Sequence, residues 1–228
     1  MSGKENSSGL EGVVIKVSVG IGHSLAEAED SLARAKQRKP EARYYNIEMY
    51  SGESIPDPEK MESRAVKSYL DIEQRLSEIG DSESLHNLEV LKYDSMTGLL
   101  NRMGYEVEVA RLKNKGEYEN RVIILIDGDN MKRTNAELGY EGTDRYLVAI
   151  GSALKSQVRS NREAGSDAGK KGRDSDTKAR NVDVLLNRKN DSGGDEFIVD
   201  IGCDYSNAEG IAMRYIDAMY AAQRSVVK

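Results

Sequence analysis

Gly193-Gly194-Asp195-Glu196-Phe197 lies between two strand-like runs, Val182–Arg188 and Phe197–Gly202. Paired glycines allow a tight turn and close approach of backbone to a ligand. The acidic pair that follows sets two carboxylates at the start of the returning strand. A third carboxylate, Asp127, ends the apolar run Val122-Ile123-Ile124-Leu125-Ile126, which has the continuous hydrophobicity of a central strand. If these strands are neighbours, Asp127, Asp195 and Glu196 converge at one place. Clustered carboxylates repel unless a cation sits among them, and an all-oxygen set favours Mg²⁺ or Mn²⁺ over zinc. Taken alone, Gly-Gly-Asp-Glu is more often a turn with solvated charges. The strand-terminal Asp127 shifts the balance toward a metal-phosphate site.

The chain has 228 residues and a formal net charge of −6. This length suits one α/β domain with additions, and the charge offers no basis for nonspecific DNA binding. With twelve Tyr, one Phe and no Trp, the core must rest on Ile, Val, Leu, Ala and Met. The single cysteine, Cys203, excludes an internal disulfide framework and is expected to be a small buried strand residue. No apolar run reaches membrane-spanning length, and the polar residues 1–12 lack the apolar segment of a signal peptide. A cytoplasmic protein without membrane or nucleic-acid partners is the expectation.

Residues 1–12 read as a disordered arm. Val13–Gly22 is β-branched and glycine-bounded, as a strand is, and Ser24 with Glu27 has the spacing of a helix-capping box. That helix is predicted to run to about Lys39, where Pro40 stops it, with Arg43–Tyr50 as an edge strand. Residues 51–83 form a linker and a helix. There Met61, Ala65, Tyr69, Ile72, Leu76 and Ile79 recur at helical spacing, either packing on the same domain or pairing with a second copy. Helices are predicted at Ser84–Tyr93, Arg102–Leu112, about Gly142–Arg159 and Ser206–Gln223. Residues 159–180 are polar and glycine-rich, and read as a flexible insertion.

Four stretches, the opening one among them, carry a family resemblance. Asp94-Ser-Met-Thr97-Gly98-Leu99-Leu100-Asn101-Arg102, Asp127-Gly128-Asp129-Asn-Met131-Lys132-Arg-Thr-Asn135, Leu138-Gly139-Tyr140-Glu-Gly142-Thr-Asp144 and Gly193–Phe197 resemble, in order, the motifs of GGDEF diguanylate cyclase domains. The resemblance spans most of residues 84–223. The family's closing strand and phosphate-binding helix are not found after these motifs. Val17–Gly22 and Ala28–Lys36, near the start of the chain, resemble them instead. The resemblance therefore implies an α/β (α+β) fold: a palm-like nucleotidyl cyclase sandwich with a mostly antiparallel central sheet, helices chiefly on one face, and a circularly permuted order. Residues 13–228 would form that single permuted domain, closed either within one chain or by exchange between two.

By resemblance, Asp127, Asp195 and Glu196 are catalytic, and the same three with the Gly128 carbonyl hold Mg²⁺ or Mn²⁺. Lys132 and Lys36 bind the triphosphate, Asn135 and Asp144 the guanine, and Gly193 and Gly194 approach the substrate. Arg180 and Asp183 resemble a product-inhibition motif, although the hairpin Asn187–Ser192 is longer than the family's and leaves the placement of Arg188 open. The implied reaction joins two GTP into cyclic di-GMP with release of pyrophosphate, in a homodimer with each domain closed within its own chain or by a domain swap. The alternatives are a noncatalytic GTP or cyclic-di-GMP binding module and a cyclase making another cyclic dinucleotide. Ala136, Tyr140 and Ala33 depart from the family's usual acid, histidine and tyrosine; none is a proposed metal ligand.

Overall fold

The computed structural model describes residues 16–38, 45–55, 63–129, 131–167, 184–189 and 195–226. Gly193, Gly194, Arg180, Asp183 and the arm at 1–12 lie outside these residues. Five strands form one sheet: β1 (Val17–Gly22), β2 (Tyr45–Met49), β3 (Arg121–Gly128), β4 (Val184–Lys189) and β5 (Glu196–Gly202), in the order β2-β1-β3-β5-β4. β1 runs parallel to β2, and all other pairings are antiparallel. The mixed α+β architecture agrees with the palm-like fold expected, and β1 pairs with β3 of the same chain.

Six helices accompany the sheet: α1 (Leu25–Gln37), α2 (Arg64–Ile79), α3 (Ser82–Val90), α4 (Arg102–Asn114), α5 (Met131–Asp167) and α6 (Ala208–Val226). They cover both faces, not chiefly one. Val122, Ile124 and Ile126 of β3 pack with Tyr146, Ile150 and Leu154 of α5 and Tyr215, Ile216 and Met219 of α6. The alternate residues Ile123 and Leu125 pack with Ala28 and Leu32 of α1 and Tyr105 and Leu112 of α4. Successive strand side chains point to opposite faces, so a central strand covered on both sides must be apolar throughout. The continuous run in β3 thus specifies two helical layers.

β1 shows how closely α1 is held. Val17, Val19 and Ile21 point into one layer, and the intervening Ser18, Gly20 and Gly22 face the other. A Cβ on Gly20 would lie 2.1 Å from the Ala28 carbonyl oxygen and 2.3 Å from the Leu32 nitrogen. Glycine is therefore required for this helix to lie on this strand. Ser24 caps α1 by accepting from the Glu27 backbone N–H at 3.2 Å. The Glu27 carboxylate reaches back to the His23 N–H at 2.8 Å, one residue before the cap, rather than to Ser24 itself.

The helix at 64–79 ends at Gly80 in the left-handed conformation, as its sequence indicates. Tyr69 of the predicted stripe, with Val66 beside it, buries against Val107 of α4, while Ala65, Ile72 and Ile79 are exposed, so the stripe packs on the domain at Tyr69 and not along its length. α5 begins eleven residues earlier than the expected Gly142. It kinks at Gly139, whose φ of 70° and ψ of 170° are non-helical, and it continues to Asp167 into the stretch read as a flexible insertion. Cys203 falls just beyond β5 and is half-buried rather than a buried strand residue.

Candidate active site

Register brings the carboxylates together. Asp127 near the end of β3 is the direct cross-strand partner of Glu196 at the start of β5. The same row continues to Ser18 of β1 on one side and Lys189 of β4 on the other. Cross-strand partners share a face, so this polar row lies on the α1 side of the sheet. Asp195 adjoins it: its carbonyl accepts from the Gly128 N–H at 3.3 Å, and its Cβ is 3.6 Å from where a Gly128 Cβ would be.

The row is electrostatically costly without a counter-cation. Asp127 is 7 % exposed, and burial pushes its carboxyl up to about 6. Lys36 opposes that shift, with its ammonium 3.0 Å from Asp127 Oδ1, while the charges of Asp195 and Glu196 add to it. Burial also raises Asp195 and Asp129, and Glu196 pushes Asp195 further up. Glu196 Oε2 is buried without a hydrogen bond, and the Lys189 ammonium lies 3.3 Å away, within ion-pair range. Among the described residues no three acidic, His or Cys side chains are grouped closely enough to enclose a metal. The donor chemistry still fits a hard divalent cation. All the donors are oxygens, one is a buried acceptor without a hydrogen bond, and one is a carboxyl that burial pushes up to about 6 despite the nearby Lys36.

α5 carries the other predicted contacts. Lys132 and Asp144 are exposed. Asn135 is half-buried, and its Oδ1 is a fully buried acceptor without a hydrogen-bond partner. Such an atom costs free energy unless a ligand donor meets it. The helix kink at Gly139 falls between Asn135 and Asp144, so these two residues sit on separately oriented helical segments.

The Asp94–Arg102 stretch proves to be a support. Asp94 Oδ1 accepts from the Thr97 N–H at 2.8 Å and the Thr97 hydroxyl at 2.7 Å, and the Asp94 carbonyl accepts from the Gly98 N–H at 2.7 Å. Burial works against ionisation of Asp94, but the Thr97 hydrogen bonds and Arg188 outweigh it and hold the carboxyl below its usual value. Arg188, whose placement the sequence leaves open, is 5 % exposed and donates to Asp94 Oδ1 at 3.1 Å. It therefore braces this turn on the face opposite the carboxylate row. Asn101 caps α4 by accepting from the Gly104 N–H at 2.9 Å.

Sequence reasoning assigned no role to Ser18, Asp129 or Lys189. The Ser18 hydroxyl lies 3.1 Å from both Asp129 carboxylate oxygens, and the Asp129 N–H donates to the Lys16 carbonyl at 2.8 Å. Strand alternation opposite Asp127 is the signal that could have found Ser18. A cavity of about 620 Å³ opens elsewhere, among Lys92, Leu99, Arg111, Lys155 and Val184. It includes none of the three carboxylates, and its buried Lys92 is already neutralised by Glu89 and Glu108. The clustered carboxylates are therefore the better candidate for chemistry.

A mostly antiparallel sheet with acidic residues at the meeting ends of its central strands defines a palm-like α/β fold of the nucleotidyl cyclase kind. The family model for "Diguanylate cyclase, GGDEF domain" matches residues 91–167, from the end of α3 through β3 and α5. Residues 91–167 are thus similar to part of a GGDEF domain. No curated protein matches it.

Proposed function

We propose that the chain is a diguanylate cyclase that condenses two GTP into cyclic di-GMP and pyrophosphate. The observation that supports this most is the pairing of Asp127 with Glu196, beside Asp195, in a buried row whose carboxyls are pushed up by burial and by one another. Asp127, Asp195, Glu196 and the Gly128 carbonyl are the groups suited to hold Mg²⁺ or Mn²⁺. When bound, such an ion neutralises phosphate charge and favours ionisation of an attacking hydroxyl.

The remaining roles belong to the chain's own side chains. Asn135 Oδ1 is suited to accept from a guanine N–H, and Asp144, free to move at the surface, from the N1–H and exocyclic amine together. Adenine lacks that donor pair. Lys132 and Lys36 are suited by charge to bind triphosphate oxygens, for which Lys36 exchanges its carboxylate partner for a phosphate. Glu196 or Asp195 takes the proton of the 3′-hydroxyl, whose oxygen forms the new bond to the α-phosphorus as the bond to pyrophosphate breaks. Two such sites, each with one GTP, imply a homodimer at least during turnover.

In this reading residues 17–49 serve as the closing strand, helix and edge strand of the domain, joined ahead of the other motifs by residues 51–83. That is a circular permutation, and pairing of β1 with β3 in one chain supports closure without exchange. Incubating the full chain with GTP and Mg²⁺, then separating nucleotides by chromatography, tests the activity. Cyclic di-GMP and pyrophosphate are expected. Folded protein that forms no phosphodiester product with Mg²⁺ or Mn²⁺ at any protein concentration would falsify it.

A further inference from the structure

Lys189 closes β4 and faces Glu196, the first residue of β5, across the strand pair. Its ammonium lies 3.3 Å from Glu196 Oε2 and 3.0 Å from Glu29 Oε1 on α1. The same helix supplies Lys36 to Asp127. One helix from the start of the chain therefore contacts both members of the central carboxylate pair: Asp127 directly, and Glu196 through Lys189. An exposed ion pair is ordinarily worth little. Here the Lys189 and Glu196 side chains are only 24 % and 16 % exposed, so solvent screens their attraction less.

We infer that Lys189 is a positioning residue: bridged between Glu29 and Glu196, it fixes the orientation of the Glu196 carboxylate and makes it depend on the seating of α1. An ammonium has three donors and no acceptor, so it can serve two carboxylates at once. Glu196 Oε2 has no hydrogen bond of its own, so the ion pair with Lys189 is the contact that directs it. This inference rests on the reading of Asp127, Asp195 and Glu196 as the reacting carboxylates.

The test uses the full chain and the variants K189Q, K189R and E29Q, with turnover of GTP and binding of Mn²⁺ alone followed by electron paramagnetic resonance. K189Q is expected to lose about tenfold in kcat with the KM for GTP within twofold, since orientation and not substrate binding is lost. It is also expected to bind Mn²⁺ about three- to tenfold more tightly, because one positive charge near the cation is gone. K189R should recover kcat to within about threefold, and E29Q should lose about threefold with Mn²⁺ affinity unchanged. A purely structural role would lower the melting temperature and leave both the kcat–KM split and the Mn²⁺ affinity in place. Wild-type kcat and Mn²⁺ affinity in K189Q overturn the inference, and if K189Q does not fold, unchanged kcat in E29Q does so. If the wild-type chain binds Mn²⁺ but makes no product, the cyclase reading falls and the Mn²⁺ arm alone decides Lys189. Absence of saturable Mn²⁺ binding by the wild type overturns both.

Discussion

The Lys36 ammonium lies 3.0 Å from Asp127 Oδ1, joining a helix near the start of the chain to the end of the central strand. Asp127 is buried beside two other carboxylates, and this contact is its principal compensation. Removing the charge in Lys36→Met should leave Asp127 still harder to ionise and deprive the triphosphate of a partner. The KM for GTP is expected to rise about tenfold, and steady-state kinetics over a range of GTP concentrations measures it.

Asp127 itself illustrates a site maintained at the expense of stability. Its carboxyl is pushed up from 3.8 to about 6, so at neutral pH the fold carries an anion that it disfavours. Asp127→Asn should abolish product formation yet stabilise the metal-free chain by about 1–3 kcal/mol near pH 8, from a shift of roughly two pKa units at 1.36 kcal/mol each. Chemical denaturation in EDTA at that pH gives the comparison. A destabilised Asp127→Asn variant would show that the Lys36 contact outweighs the burial of the charge.

The same shift sets a pH dependence. The folded-state value lies above the unfolded one, so the folded state binds more protons between about pH 4 and 6. This contribution to stability is fully present below the unfolded value of 3.8 and is lost as pH rises through about 6. Asp129 and Asp195 are raised as well and act in the same direction. A divalent cation favours the ionised forms, so Mg²⁺ should raise the melting temperature more at pH 8 than at pH 5. Melting curves with and without Mg²⁺ at the two pH values check this, and an equal or larger shift at pH 5 contradicts it.

What the sequence made legible follows from what each element needs locally. The run Val122–Ile126 identified a central strand because burial on both faces demands unbroken hydrophobicity. Asp127 could be matched to Glu196 because each lies at a strand end. Lys189 was missed because that strand was ended at Arg188. One further residue of β4 places the lysine opposite Glu196, and register depends on pairing rather than on the strand's own sequence. The first half of α5 was missed because Lys132, Arg133, Asn135 and Glu137 give little apolar periodicity and Gly139 interrupts the helix. The second helical layer was implied by β3 but obscured by the expectation carried over from the resemblance.

Gly20 couples packing to the site. A Cβ there would meet the backbone of α1 at 2.1–2.8 Å, far inside contact distance, and backbone cannot swing aside as a side-chain tip can. Gly20→Ala should therefore lift α1 from β1, costing about 2–3 kcal/mol. It should also lower activity more than that loss of stability explains, because Lys36 and Glu29 ride on the displaced helix. Denaturation midpoints and kcat measured well below the midpoint separate the two effects. Full activity in a destabilised but folded Gly20→Ala chain would show that the seating of α1 does not govern the carboxylates.

The buried pair Arg121 and Asp200 provides the contrasting case. Asp200 is fully buried, and it accepts from Arg121 and from the hydroxyls of Tyr105 at 2.9 Å and Tyr118 at 3.1 Å. Asp200→Ala takes the carboxylate from a buried guanidinium and two hydroxyls, which should cost about 3–5 kcal/mol. The pair joins strand ends distant in register from Asp127 and Glu196, since Arg121 opens β3 and Asp127 lies near its other end. Molecules that remain folded should therefore keep the wild-type KM for GTP, which kinetics at low temperature with a parallel measure of folded fraction would establish.

Asn135 makes the sharpest distinction between a binding atom and a structural one. Its Oδ1 is buried without a partner, so replacing the amide deletes an unsatisfied acceptor instead of breaking a bond. Asn135→Ala should be neutral or slightly stabilising in the absence of nucleotide. If Oδ1 receives a guanine N–H, the same variant should raise the KM for GTP about tenfold and reduce the preference for GTP over ITP, which lacks the exocyclic amine. Loss of GTP affinity with the GTP-to-ITP ratio unchanged would place the Asn135 contact on N1–H and leave the exocyclic amine to another residue. Loss of stability without change in either KM would mean that Asn135 serves the helix and not the substrate. Thermal melting of the nucleotide-free variant beside the two KM values distinguishes all three outcomes.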